Sequence, residues 1–325
     1  MTELLKRLML TTGVSGRENK IREVIRSEAE KYADEVITDP MGNLIVHKKG
    51  NGKKIMFAAH MDEIGYFVTF IDEKGLIRVG AVGGINTLAA SYSDVISENG
   101  VYGIALPTEA NELPKVESLY IDIGVKSRKQ AEARVKVGDY FVHVPHLKRL
   151  SGNKYVGRPF DDRIGCLVLL EALKNVKNTD NDLYFVFTVQ EEVGLRGAKP
   201  AAYRIEPDIA IAVDVTSVGG KPTSPKSKVK LGDGAAIKIK DSSVICSYEL
   251  VCRMREIAVD SKIKYQDEIL LKGGTDTASM QTSKAGCLAG GISIPTAYIH
   301  SVNEMIDMSD VKEAIKLACA VAERI

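Results

Sequence analysis

IMFAAHMD, residues 55–62, is an apolar run that stops abruptly at His60 and Asp62. Such a run reads as a strand buried on both faces, and in an α/β sheet chemistry collects at the carboxyl ends of strands of this kind. The design recurs. DLYFVFTVQEE, residues 182–192, closes on Glu191 and Glu192, and IAIAVDV, residues 209–215, carries Asp214. A further strand expected between Gly286 and His300 ends in His300. Helical spacing of apolar residues separates these runs, at residues 17–32, 164–176 and 248–261. Ser309 is the expected N-cap of a closing helix that runs to Ile325.

The pattern changes from about Tyr66 to Val156. YFVTFI (66–71), LIRVGAV (76–82), DVISENGVYGIAL (94–106) with its Asn99-Gly100 turn, LYIDIGV (119–125) and DYFVHV (139–144) are short alternating segments between turn signals. Their spacing suits a small all-β barrel or sandwich. The expected architecture is therefore an α/β fold. A mixed-sheet α/β/α domain, residues 1–66 and 157–325, is interrupted by a barrel-like β domain, residues 67–156. KPTSPKSKVK, residues 221–230, reads as a solvated loop rather than a nucleic-acid contact.

The 325 residues are 45% hydrophobic and 27% charged, enough to bury a sizeable core. A formal net charge of +1 gives no global pull toward nucleic acid or an anionic membrane surface. The N-terminal MTELLKRLMLTTG reads as a short amphipathic helix and lacks a signal-peptide pattern, and no apolar run reaches the ~18 residues of a membrane span. The five cysteines are scattered and form no CxxC pair, which argues against a disulfide framework or a thiolate zinc site and fits a reducing cytoplasm.

His60, Asp62, Asp161-Asp162, Glu191-Glu192, Asp214 and His300 form the constellation that carries chemistry. Imidazole and carboxylate donors without thiolate suit Zn, Co or Mn. Two ions ~3.5–4 Å apart need a shared ligand, and a carboxylate can supply it. Adjacent acids such as Glu191 and Glu192 point different ways at a strand end, so one can bind metal while its neighbour serves as general base. Each piece has a plainer reading alone. Asp161-Asp162 can be a helix N-cap with a first-turn acid, and a Glu-Glu pair is usually solvated. His47, His143 and His146 lack a comparable acid context and read as packed or surface histidines.

AHMDEIG (59–65), GRPFDDRIG (157–165), VQEEVGLRGA (189–198), VDVT (213–216), KLGDG (230–234), GGTD (273–276) and SIPTAYIHS (293–301) resemble the glutamyl, or tetrahedral, aminopeptidase family, whose members also carry the names endoglucanase and cellulase. The motifs span nearly the whole chain and stand in family order. The resemblance implies a metallopeptidase with two divalent ions and an inserted β-rich dimerisation domain. It also implies dimers that assemble into a tetrahedral dodecamer, whose inward-facing active sites favour short peptides over folded proteins. Carried over by residue, His60 resembles a ligand of one ion and Asp62 its orienting partner. Asp161 resembles the bridging ligand, with a slip by one to Asp162 as the alternative. Glu191 resembles the general base, Glu192 a ligand of the second ion with His300, and Asp214 a ligand of the His60 ion. The chain departs from the family at Ala297, where Arg is usual, at Val302, where Pro is usual, and at Gln281, where His is common; these changes bear on substrate preference and assembly.

The implied reaction is metal-dependent removal of N-terminal residues from short peptides, with Glu191 relaying a proton from water to the leaving amine. Another metal-dependent amidohydrolase, a deacylase or carboxypeptidase, would use the same donors. An endoglucanase would need two carboxylates without metal, and the absence of Trp leaves fewer aromatic platforms for sugar. A non-catalytic relative that keeps the fold is the remaining alternative.

Overall fold

The computed structural model describes residues 1–108, 115–220 and 227–325. The first six residues of the loop expected at 221–230 lie outside the described residues. Asp182–Thr188, Lys54–His60, Ile209–Ser217 and Leu288–Ala297 are adjacent parallel strands at the centre of an eleven-stranded mixed sheet. Register aligns their ends, with Thr188 opposite His60 and Ala212 opposite Ala58. Side chains alternate across the sheet. Phe57, Phe185 and Ile211 face one layer of helices, while Met56, Val186 and Ala210 face the other. The first layer comprises Thr2–Leu10, Asn19–Ala29, Arg163–Asn175, Tyr248–Asp260 and Met308–Arg324. Ala198–Ile205 and Thr277–Gln281 cover the second face. Phe57 stacks on Phe185 at 5.6 Å between ring centroids and joins two central strands. Burying each such ring contributes about 1.5–3 kcal/mol.

Six antiparallel strands from Gly65–Ile71 to Tyr140–His143 close into a barrel. Tyr66 and Val68, Ile77 and Val79, Ile121 and Phe141 fill its interior at alternate positions. Gly100, at φ 81°, makes the tight turn between Ser93–Ser97 and Tyr102–Pro107, a conformation that costs glycine little. The following hairpin, His146–Arg149 with Lys154–Arg158, hydrogen-bonds onto Glu304–Asp307 at the edge of the large sheet.

One cap differs from expectation. The closing helix starts at Met308, and Asp307 caps it, its carboxylate accepting from the Ser309 amide at 3.0 Å. Ser309 donates its hydroxyl to the same carboxylate at 2.6 Å, so it serves the cap without being one. Among the described residues no helix is long and apolar enough to cross a membrane.

Candidate metal centre

The parallel strands deliver their polar ends to one place. His60 terminates Lys54–His60, Asp214 lies near the end of Ile209–Ser217, and Glu191 and Glu192 follow Asp182–Thr188. His300 follows Leu288–Ala297, and Asp161 sits just ahead of the helix Arg163–Asn175. His60 Nε2 lies 3.1 Å from Asp161 Oδ1 and 3.8 Å from Asp214 Oδ1. His300 Nε2 lies 3.2 Å from Asp161 Oδ2 and 3.3 Å from Glu192 Oε2. Two donor sets result: His60, Asp161 and Asp214, and Asp161, Glu192 and His300. Within each set the ligand atoms lie within 4.8 Å of one another. Asp161 belongs to both and turns one oxygen toward each histidine.

The two readings of the aspartate pair separate here. Asp162 Oδ1 accepts from the Gly165 amide at 3.0 Å and caps the helix, and its Oδ2 accepts from the His60 amide at 3.3 Å. Asp62 faces away from the donor sets. It accepts from Ser15 Oγ at 2.6 Å, from the Glu191 amide at 3.0 Å and from the Glu192 amide at 3.2 Å. One of its oxygens lies 3.5 Å from His60 Nδ1. Asp62 thus ties the strand bearing His60 to the turn bearing the two glutamates. Burial works to raise its carboxyl, but His60 and these donors outweigh it and hold it below the ordinary range.

The nest carries more negative charge than the protein compensates. Burial, reinforced by Asp161, pushes Asp214 well above the usual carboxylate range despite His60. Burial also raises Glu191, with Asp214, Asp276 and Glu192 adding to the effect against His60. Although burial opposes its charge, Glu192 and Asp161 push His300 up to about 11. Among the described residues no Lys or Arg lies within salt-bridge distance of Asp161, Asp214 or Glu192. Divalent cations fit that imbalance, and the mixture of imidazole and carboxylate donors without thiolate suits divalent metals of borderline hardness. The nearby thiol is excluded from the donor set, because Cys166 Sγ is turned toward the His60 carbonyl at 3.2 Å.

The pattern of M42 glutamyl aminopeptidases matches residues 42–317. The chain belongs to this family. It is a peptide hydrolase, a metal-dependent aminopeptidase. The lysyl aminopeptidase of Pyrococcus furiosus is 34% identical, over 99% of this chain and 97% of that protein. An aminopeptidase from the archaeon Desulfurococcus kamchatkensis superposes with a TM-score of 0.95 at 37% identity, covering 99% of this chain and 94% of that one. The TET1 peptidase of Pyrococcus horikoshii, which can assemble into a tetrahedron or a large octahedral shell, gives 0.90 at 34% identity over 100% and 99% of the two chains.

Around the donor sets of this M42 aminopeptidase stand further residues that sequence patterning passes over. Glu304 is fully buried and accepts from the amides of Phe160 at 2.6 Å, Asp161 at 3.1 Å and His300 at 3.2 Å, fixing the backbone beneath both donor sets. Burial raises its pKa to about 7 even against Arg158. Four residues past His300 in a polar stretch, Glu304 has the sequence signature of an ordinary surface acid. Ser15 is likewise silent in sequence, and Asp276, which closes the GGTD motif without an assigned role, accepts from Thr188 Oγ1 at 2.6 Å. Gly84 comes from the barrel side, and a Cβ there would stand 3.0 Å from His300 Nδ1, so any side chain at this position would crowd the ring. The remaining histidines lie elsewhere. His47 pairs with Asp182 at 2.6 Å, His143 is buried in the barrel wall, and His146 meets Asn303 at 3.1 Å. Of the departures from the family, Ala297 packs with Val218, Val229 and Ala236, Gln281 donates to the Ile245 carbonyl at 3.0 Å, and Val302 lines a neighbouring pocket.

Proposed function

We propose that the enzyme removes N-terminal residues from short peptides through two divalent ions, Zn, Co or Mn, bridged by Asp161. The observation that carries this reading is the two-sided presentation of Asp161, with one oxygen 3.1 Å from His60 and the other 3.2 Å from His300. His60 and Asp214 would hold one ion, and Glu192 and His300 the other. Bound there, the ions lower the pKa of water and polarise the scissile carbonyl. Glu191 lines the pocket beside both sets and takes the proton from the attacking water. It then returns that proton to the departing amine. Asp62 orients His60 and the Glu191–Glu192 turn. We propose that the inserted domain expected at residues 67–156 serves in dimerisation through its barrel, which runs from Gly65–Ile71 to Tyr140–His143, while the hairpin His146–Arg149 with Lys154–Arg158 belongs to the large sheet. The tetrahedral and octahedral assembly of the Pyrococcus horikoshii relative supports homo-oligomerisation, for which we propose dimers forming a dodecamer in the cytoplasm.

A panel of aminoacyl-p-nitroanilides and their N-acetylated counterparts, with Co, Zn or Mn and again with EDTA, tests the reaction. Cleavage confined to free-amine substrates and lost with EDTA is the expected result. Cleavage of the acetylated compounds would replace this reading with a deacylase or endopeptidase.

A further inference from the structure

A second cavity, of about 430 Å³, lies beside the one that holds the donor nest, and Ser217 and Ile299 line both. Its walls come from the segments that carry two of the donors. The strand that bears Asp214 ends at Ser217, and Val218 follows it into the second cavity. On the other segment His300 lines the first cavity, while Tyr298 and Val302 line the second. Tyr298 and His300 both hold left-handed backbone, φ 63° and 61°, a conformation that L residues rarely adopt. That turn lets one short segment serve two cavities. The facing wall belongs to the barrel. Asn86 and Ala89 form it, and Asn86 Oδ1 accepts from the Ala89 amide at 3.2 Å.

None of the described residues that line the second cavity is charged. The charges behind it are paired and turned inward. Arg158 donates to the Ser301 carbonyl at 2.8 Å and lies 3.4 Å from Glu304, and both side chains are buried. Val218 packs with Val229, Ala236 and Ala297, which gives the cavity an apolar base. An ionised side chain placed here would lose water without gaining an ion partner, a cost that a neutral side chain avoids. The position of the cavity suits one occupant. In an extended peptide successive side chains point to opposite sides, about 3.3 Å apart along the chain. A peptide whose first carbonyl meets the nest therefore turns its first side chain to one side and its second to the other, into the space across Ile299.

We propose that this second cavity receives the side chain of the substrate's second residue, the one that follows the scissile bond, and selects a neutral side chain over a charged one. The proposal rests on the aminopeptidase reading of the nest. The test uses free-amine tripeptides with Phe, Glu or Lys in second place and Gly in third. Their first residue is the one cleaved best among the nitroanilides, or Leu if none is cleaved. The metal-loaded wild type should favour the Phe peptide over both charged peptides by at least about tenfold in kcat/KM. Val302→Asp should raise the ratio of Lys to Glu cleavage by about tenfold, and Val302→Lys should lower it by as much. A wild type that cleaves a charged peptide as fast as the Phe peptide overturns the proposal and leaves the aminopeptidase reading intact. So does a ratio that neither substitution moves in proteins of unaltered melting temperature. Failure to cleave all three peptides would count against the aminopeptidase reading instead. Calorimetry with the same uncleaved peptides then reads the cavity: tightest binding of the Phe peptide supports the assignment, and equal affinities, or tighter binding of a charged peptide, overturn it.

Discussion

At the scale of single residues, the proposed mechanism divides proton transfer from metal holding among neighbouring acids. Glu191 is buried and raised by its anionic surroundings, yet it belongs to neither donor set. Glu191→Gln keeps its shape and removes its basicity. It should lower kcat by about 10²–10⁴-fold, the usual contribution of a general base, while metal content measured by mass spectrometry stays at the wild-type value. Loss of metal with activity would move Glu191 among the ligands. The aspartate pair permits a sharper contrast. Asp162→Ala removes a helix cap and the acceptor for the His60 amide, so it should cost about 1–3 kcal/mol in urea denaturation with metal still bound. Asp161→Ala should release metal instead. Exchange of the two phenotypes would make Asp162 the bridge. Sequence alone left this pair open because an N-cap and a bridging carboxylate share one signature, an acid placed just before an apolar helix. Only the direction of each carboxylate separates them.

At the scale of elements, the central strands were legible because burial on both faces leaves an unbroken apolar run, and the barrel strands because burial on one face leaves alternation. The hairpin His146–Arg149 with Lys154–Arg158 carries neither signal strongly: much of it is exposed or half-buried, and its pairing partner Glu304–Asp307 lies far along the chain. Patterning alone could not attach it to the large sheet. The barrel wall also contains a polar device that periodicity does not reveal. His143 is buried, with Nδ1 3.0 Å from Ser93 Oγ and Nε2 3.3 Å from Tyr66 Oη. Burial, with Arg158 adding to it, lowers its pKa to about 3. The unfolded chain takes up a proton near pH 6.5 that the folded barrel refuses until about pH 3. The contribution of His143 to stability is therefore complete above about pH 6.5 and is lost as pH falls, by up to about 1.4 kcal/mol per pH unit. Urea midpoints at pH 7, 6 and 5 should fall more steeply for the wild type than for His143→Gln. NMR should find the His143 ring neutral throughout that range. A ring that titrates near pH 6 would remove the basis of this slope.

At the scale of the whole molecule, the barrel both touches the centre, through Gly84 beside His300, and displays apolar surface away from it. Tyr102 and Ile104 alternate along one strand and project from the same face, 63% and 45% exposed. Leu88 and Tyr92, at 68% and 66%, are also exposed on this lobe. The proposed dimer contact would cover the adjacent side chains Tyr102 and Ile104. In the proposed closed assembly, a chamber wall rather than a lid would keep folded proteins from the charged pocket. Light scattering should therefore give a mass near twelve times the 35.4 kDa chain, and the assembly should degrade short peptides while leaving a folded protein intact. The double substitution Tyr102→Glu and Ile104→Glu places charges on the exposed face without entering the barrel core, so it should reduce the assembled mass while the far-ultraviolet circular dichroism is retained. A wild type that remains monomeric at micromolar concentration and still hydrolyses short peptides would show that the centre is complete within one chain, and the chamber would then have no part in selecting substrates.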